Sequence, residues 1–208
     1  MAETTNDTPY HLEAIQALNA VCGTEHFTNH FAYEISQCHE VLLKFIARDD
    51  SSPQQTARVL VLRYLDRLLI RAVRLINEEA DVMAQIVRNL IELAFVSEHI
   101  SSGIEEATAF LNEADLDAAD LAERIRKANP EAIDYGLATK GDRVATKRSN
   151  PDEELLWKTC CKFVHPTSFI LQHPEETISN ARYKEMFAVK VLEYGWGIVT
   201  TFHQINWT

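Results

Sequence analysis

The sequence predicts an all-α fold, a helical bundle of five or more helices that closes with a long C-terminal helix. Three observations carry that expectation. Apolar residues recur at steps of three and four along most of the chain, and no stretch sustains strand-like alternation. Six glycines and six prolines are too few for the turns of an all-β fold, and several prolines stand where helices begin or end. A chain of 208 residues, 46% apolar and 25% charged, can bury a full core. It reads as one helical domain over 1–208, with 103–150 set into it as acidic short helices plus a basic loop.

The elements follow from their punctuation. Thr8 and Pro9 form an N-cap with proline at the first helical position, and Gly23 stops that helix. Over 24–48, Phe27, Phe31, Ile35, Cys38, Leu42, Phe45 and Ile46 make one amphipathic face. "SPQQ" at 52–55 is a capping box, opening a helix expected to run to about Asn77. "NEEAD" separates it from the next helix, 81–101. Residues 103–128 read as one or two short acidic helices ending before Pro130. "GLATKGDRVATKRSN", 136–150, has no periodicity and reads as a loop. "NPDE" at 150–153 opens a short helix through Val164, which His165-Pro166 closes. The final helix is expected from about Asn180 to Ile205, with Tyr183, Phe187, Tyr194 and Ile198 as a packing stripe. Gly195 and Gly197 inside it each cost about 1 kcal/mol relative to alanine. Close approach of another helix, within the chain or across a dimer, is the expected compensation.

A formal charge of −11 repels nucleic acid and anionic membranes at long range, unless a local basic surface overrides it. Cys22, Cys38, Cys160 and Cys161 lack C-x-x-C spacing and read as small buried hydrophobes of a reducing cytoplasm. "MAETTNDTPY" lacks a signal-peptide profile, and no apolar run approaches the roughly 20 residues that span a bilayer. The expected protein is cytoplasmic, with no membrane contact.

Candidate functional residues fall in four groups. On the 81–101 helix, Asp81, Gln85, Arg88, Glu92 and His99 share a sector of about 60° on a helix otherwise almost entirely apolar. The stripe either meets water, with Arg88 and Glu92 as an i,i+4 pair, or lines a cleft where Arg88 holds an anion. Arg63, Arg67, Arg71 and Arg74 occupy a sector of about 80° on the preceding helix. Their expected partners are the chain's own carboxylates, chiefly those of 103–134, and the alternative is phosphate. In "LLWKTCCKFVHPTSF", His165 stands at a helix C-terminus with Lys158 and Lys162 on one side, and it either caps carbonyls or serves as an acid or base. His26, His30 and Glu34 follow i, i+4, i+8, but no further ligand is assigned, so no metal is expected. No P-loop, G-x-G-x-x-G, G-x-S-x-G or H-E-x-x-H occurs, and no cofactor is expected.

The helix "VMAQIVRNLIELAFVSEHI", with its R-x-x-x-E core, followed by "LLWKTCCKFVHPTSFIL" and a long last helix, resembles a family of all-helical bacterial proteins classed as a domain of unknown function. The resemblance spans about 60–205 and carries over Arg88, Glu92, Trp157 and His165. The order of helices also resembles the wider HEPN group, many of them dimeric, metal-independent RNases of defence systems with an R-x4-6-H motif. This sequence departs from that motif. Lys158, Thr159, Cys160 and Cys161 precede His165 where an arginine would stand, and the Arg88-Asn89 pair has its histidine eleven residues on.

The resemblance implies a homodimer that engages RNA or a nucleotide in defence or stress response. Arg88 would stabilise phosphate, His165 would move a proton and Glu92 would orient one of them; Arg63, Arg67, Arg71, Arg74, Asn89, Lys158 and Lys162 would contact the ligand. The other expectation is a non-catalytic scaffold acting through dimerisation and protein partners.

Overall fold

The computed structural model describes residues 10–47, 52–112, 151–165, 172 and 180–204. They form six helices: α1 (Tyr10–Ala20), α2 (Phe27–Ile46), α3 (Pro53–Leu75), α4 (Ala80–Ser101), α5 (Pro151–Val164) and α6 (Ala181–Gln204). Residues 104–112 are also helical, and no strand occurs among the described residues. The fold is an all-α bundle. The expected Thr8–Pro9 cap, the acidic helices beyond 112, the basic loop 136–150 and Pro166 lie outside the described residues.

Local chemistry sets the helix ends. α1 gives way to a turn at Gly23, whose φ of 76° is disfavoured for any side chain with a Cβ. Gly23 N–H donates to Glu185 Oε2 at 2.9 Å, tying this turn to the start of α6. α2 begins at Phe27 rather than 24, because the Val21, Cys22, Thr24 and Phe27 amides bond three residues back as successive tight turns. Ser52 Oγ accepts from Gln55 N–H at 3.2 Å with Pro53 in the first turn of α3. Asn180 Oδ1 accepts from Arg182 N–H at 2.9 Å at the start of α6.

Pairwise contacts fix the helix directions. Thr28–Asn77 and His39–Asp66 contacts make α2 and α3 antiparallel. Trp157 reaches Glu92, and Asp152 and Glu153 share a groove with Ser97 and Glu98, so α5 runs antiparallel to α4. The Phe163–Phe187 and Tyr194–Glu153 contacts make α5 antiparallel to α6 as well. Gly23 meets Glu185 and Cys38 meets Gly195, so α6 is parallel to α2.

α6 packs against α1, α2, α3 and α4. Its buried positions, from Phe187 through Leu192, Trp196 and Val199 to Phe202, cover an arc of about 200° on the helical wheel. α4, buried from Ala80 through Leu90 to Ile100, hides an arc of the same width, so α4 and α6 together are the inner pair of the bundle. Phe187 and Ile198 of the expected stripe are buried, while Tyr183 and Tyr194 pack partly exposed at its edge.

Gly195 marks the closest approach, which is internal to the chain. A Cβ there would lie 3.1 Å from Leu69 Cδ2 and 3.7 Å from Cys38 Sγ. At Gly197, by contrast, nothing lies within 4 Å, and that residue is exposed. The two glycines therefore respond oppositely to alanine. Gly197→Ala is expected to stabilise the protein by about 0.5–1 kcal/mol through helix propensity alone. Gly195→Ala should instead destabilise it by about 1 kcal/mol or more, because fully buried Leu69 must shift within a closed core. Urea unfolding of the two variants reads the difference, and equal stabilisation by both would refute the tight contact.

Candidate functional site

Two surfaces hold the residues that the sequence singled out. The first is the seam between α4 and α5. Leu90, Ile91, Leu93 and Ala94 turn into the core, which leaves Arg88 and Glu92 together on the rim, a turn apart. Arg88 Nε lies 3.5 Å from Glu92 Oε1, and the two side chains are only 20% and 21% exposed. α5 explains that shielding. Trp157 lies over the pair, with Arg88 Cζ 5.2 Å from its ring centroid and its indole N–H directed at the same Glu92 Oε1 at 3.5 Å. The cation is thus held between a carboxylate and a π-face. Cys160, one turn along α5, is buried; desolvation first, then neighbouring Cys161, push its thiol up to about 12, against a smaller opposing pull from its backbone hydrogen bond and from Arg88. It is a packing residue, as the sequence suggested.

His165 is exposed at the end of α5, where its backbone N–H donates to Cys161 O at 3.1 Å. It stands eight residues beyond Trp157, about 12 Å further along the axis. Among the described residues its ring makes no hydrogen bond or ion pair with Arg88 or Glu92. The cluster brings Arg88, Glu92 and Trp157 together, and His165 is not part of it. Asn89 is half-buried on α4, Lys158 pairs with Glu154 one turn back, and Lys162 is exposed.

The second surface is the outer face of α3. Arg63, Arg67, Arg71 and Arg74 are all exposed. Among the described residues none of the four forms an ion pair, and neither Glu105 nor Glu106 reaches them. The rest of the expected acidic partner, 113–134, lies outside the described residues. Leu60, Tyr64 and Ile70 are interleaved with the arginines and are 47%, 44% and 37% exposed. The opposite character appears in a groove of about 480 Å³ between α4, α5 and α6, where Glu98, Asp152, Glu153 and Glu193 face one lysine, Lys190.

His26, His30 and Glu34 do not converge. His26 is exposed beside Glu25. His30 Nε2 lies 3.5 Å from Glu34 Oε1, and Glu34 is buried, with no hydrogen-bond partner for Oε2 among the described residues. Burial raises the Glu34 carboxyl above its ordinary range, against a smaller opposing pull from His30. No group of three metal-ligating side chains occurs among the described residues, and no described helix is long and apolar enough to cross a membrane.

One pair escaped the sequence reading. His39 on α2 and Asp66 on α3 meet across the seam with Nδ1 2.6 Å from Oδ1. The available signal was Asp66 itself, the one acid in the 23 residues of α3.

No known family, curated protein or solved structure matches the chain.

The α4–α5 clasp makes a direct prediction. Arg88→Ala should cost about 1–2 kcal/mol in urea unfolding, and a double-mutant cycle with Trp157→Leu should give a coupling of about 0.5–1 kcal/mol. Strictly additive single-variant effects would show that the stacked geometry contributes nothing.

Proposed function

We propose that the protein is an RNA-binding helical module whose contact face is the outer surface of α3. One observation carries this reading: on a chain of net charge −11, four arginines in a row are exposed with no carboxylate paired to them among the described residues. Arginines exposed and without an ion pair among the described residues offer planar forks that suit phosphate. Arg63, Arg67 and Arg71 recur at an axial step of about 6 Å, comparable with successive phosphates of an extended strand. Tyr64 among them offers a face on which a base can stack, the combination that favours single-stranded nucleic acid.

The other basic candidates support the reading less well. Arg88 is already balanced by Glu92 and covered by Trp157, and Lys158 is paired with Glu154. The groove between α4, α5 and α6 carries four carboxylates and repels phosphate. Net negative charge elsewhere orients an approaching strand toward α3 and away from that groove.

Anisotropy titration of a labelled single-stranded RNA against salt tests the proposal. Four phosphate contacts give a slope of log K against log salt of about −3, and Arg67→Gln with Arg71→Gln should reduce it by about half. Absence of binding at low salt, or a slope indifferent to the double substitution, would refute it and favour a scaffold that meets protein partners.

A further inference from the structure

We infer that the cavity between α1 and α6 binds an apolar α-amino acid, with its carboxylate on Arg182, its ammonium on Glu185 and its side chain on the apolar floor. The inference is independent of the reading of α3, none of whose residues lines this cavity.

The cavity holds about 560 Å³, a size that suits a small ligand. Ile15, Asn19 and Cys22 line it from α1 and the turn that follows, and Met186 and Val189 line it from α6. Val189 is buried and Ile15 half-buried, whereas Met186 is 38% exposed. A flexible thioether left in water beside two aliphatic side chains is apolar surface that a ligand's side chain can cover.

The charges select the ligand class. Arg182, Lys190, Glu185 and Glu193 line the cavity, two of each sign, so it offers no net attraction to a simple cation or anion. Lys190 is tied to Glu193 at 2.6 Å. That leaves the other pair. The Arg182 guanidinium makes no hydrogen bond or ion pair among the described residues, where only its backbone N–H is used, by Asn180. Glu185, one turn on, does not neutralise it, because Glu185 Oε2 accepts from Gly23 N–H at 2.9 Å. The Glu185 charge is felt within the cavity: after desolvation, it is the second cause that raises the Cys22 thiol above its ordinary range. A cation and a carboxylate one helical turn apart, and not paired with each other, match the two charges that an amino acid carries on one carbon.

The fit follows from these positions. Arg182 donates its planar fork to the ligand carboxylate, and Glu185 accepts from the ammonium with the oxygen that Gly23 leaves over. The ligand's side chain lies against Met186, Val189 and Ile15, and the volume favours leucine, methionine or phenylalanine over glycine. Cys22, its thiol held in the neutral form, is a wall and not a nucleophile. The site binds its ligand and makes no bond to it.

The test uses the full chain and reads maleimide addition at Cys22, an exposed cysteine on the cavity wall, by peptide mass spectrometry. L-phenylalanine in the millimolar range should slow that reaction about tenfold at saturation. Three analogues each lack one feature: 3-phenylpropanoate the ammonium, phenethylamine the carboxylate and glycine the side chain. Each should need a concentration at least about tenfold higher. Arg182→Gln and Glu185→Gln, the latter still able to accept from Gly23, should each weaken protection about tenfold or more. Every rate is referred to the same variant without ligand, since Glu185→Gln by itself speeds addition by lowering the Cys22 thiol. Arg182 is exposed, so its variant decides the matter even where Glu185→Gln loosens the Gly23 turn. No protection by L-phenylalanine, or protection that survives Arg182→Gln, overturns the site. Equal protection by 3-phenylpropanoate, phenethylamine or glycine overturns the amino-acid assignment.

Discussion

The structure depends on the packing of its last helix against α4. Each hides about 200° of its circumference; α1, α2 and α3 are placed by how they cover α6, and α5 lies chiefly on α4. Gly195 lets the axis sink until Leu69 of α3 and Cys38 of α2 stand where a side chain would be. Its propensity cost is offset by dispersion contacts that a larger residue would forfeit. The same contact fixes the spacing of α2 and α3, and so the seam at which His39 meets Asp66.

Charge is segregated around this centre. Acidic side chains gather where α4, α5 and α6 meet, and the outer face of α3 is basic with apolar residues between the arginines. At the α4–α5 clasp, Arg88 is enclosed by Glu92 and Trp157. An enclosed arginine fastens helices, whereas the four arginines of α3 are exposed and form no ion pair among the described residues.

Element by element, the sequence was informative wherever local chemistry decides. Ser52-Pro53, Gly23 and Pro151 each end or begin a helix within a residue or two of the expected position. α2 was read three residues too long at its start, because tight turns preserve the apolar spacing of a helix without its hydrogen bonds. The polar stripe of α4 was legible from the wheel, whereas its cover by Trp157 depends on how α5 docks. Other features depend on register between helices, which no local pattern encodes. His39 and Asp66 are 27 residues apart, and nothing in either segment names the other. Gly195 and Gly197 look alike in sequence, yet one faces Leu69 and the other open space.

If α6 is the element on which the others are assembled, its backbone must open only when everything opens. Native-state hydrogen exchange across Leu192–Val199 measures this directly. These amides should exchange with the full free energy of global unfolding, and core amides of α2 and α4 should not exceed them. Exchange of that segment through a lower-energy local opening, with α2 to α4 still protected, would contradict it.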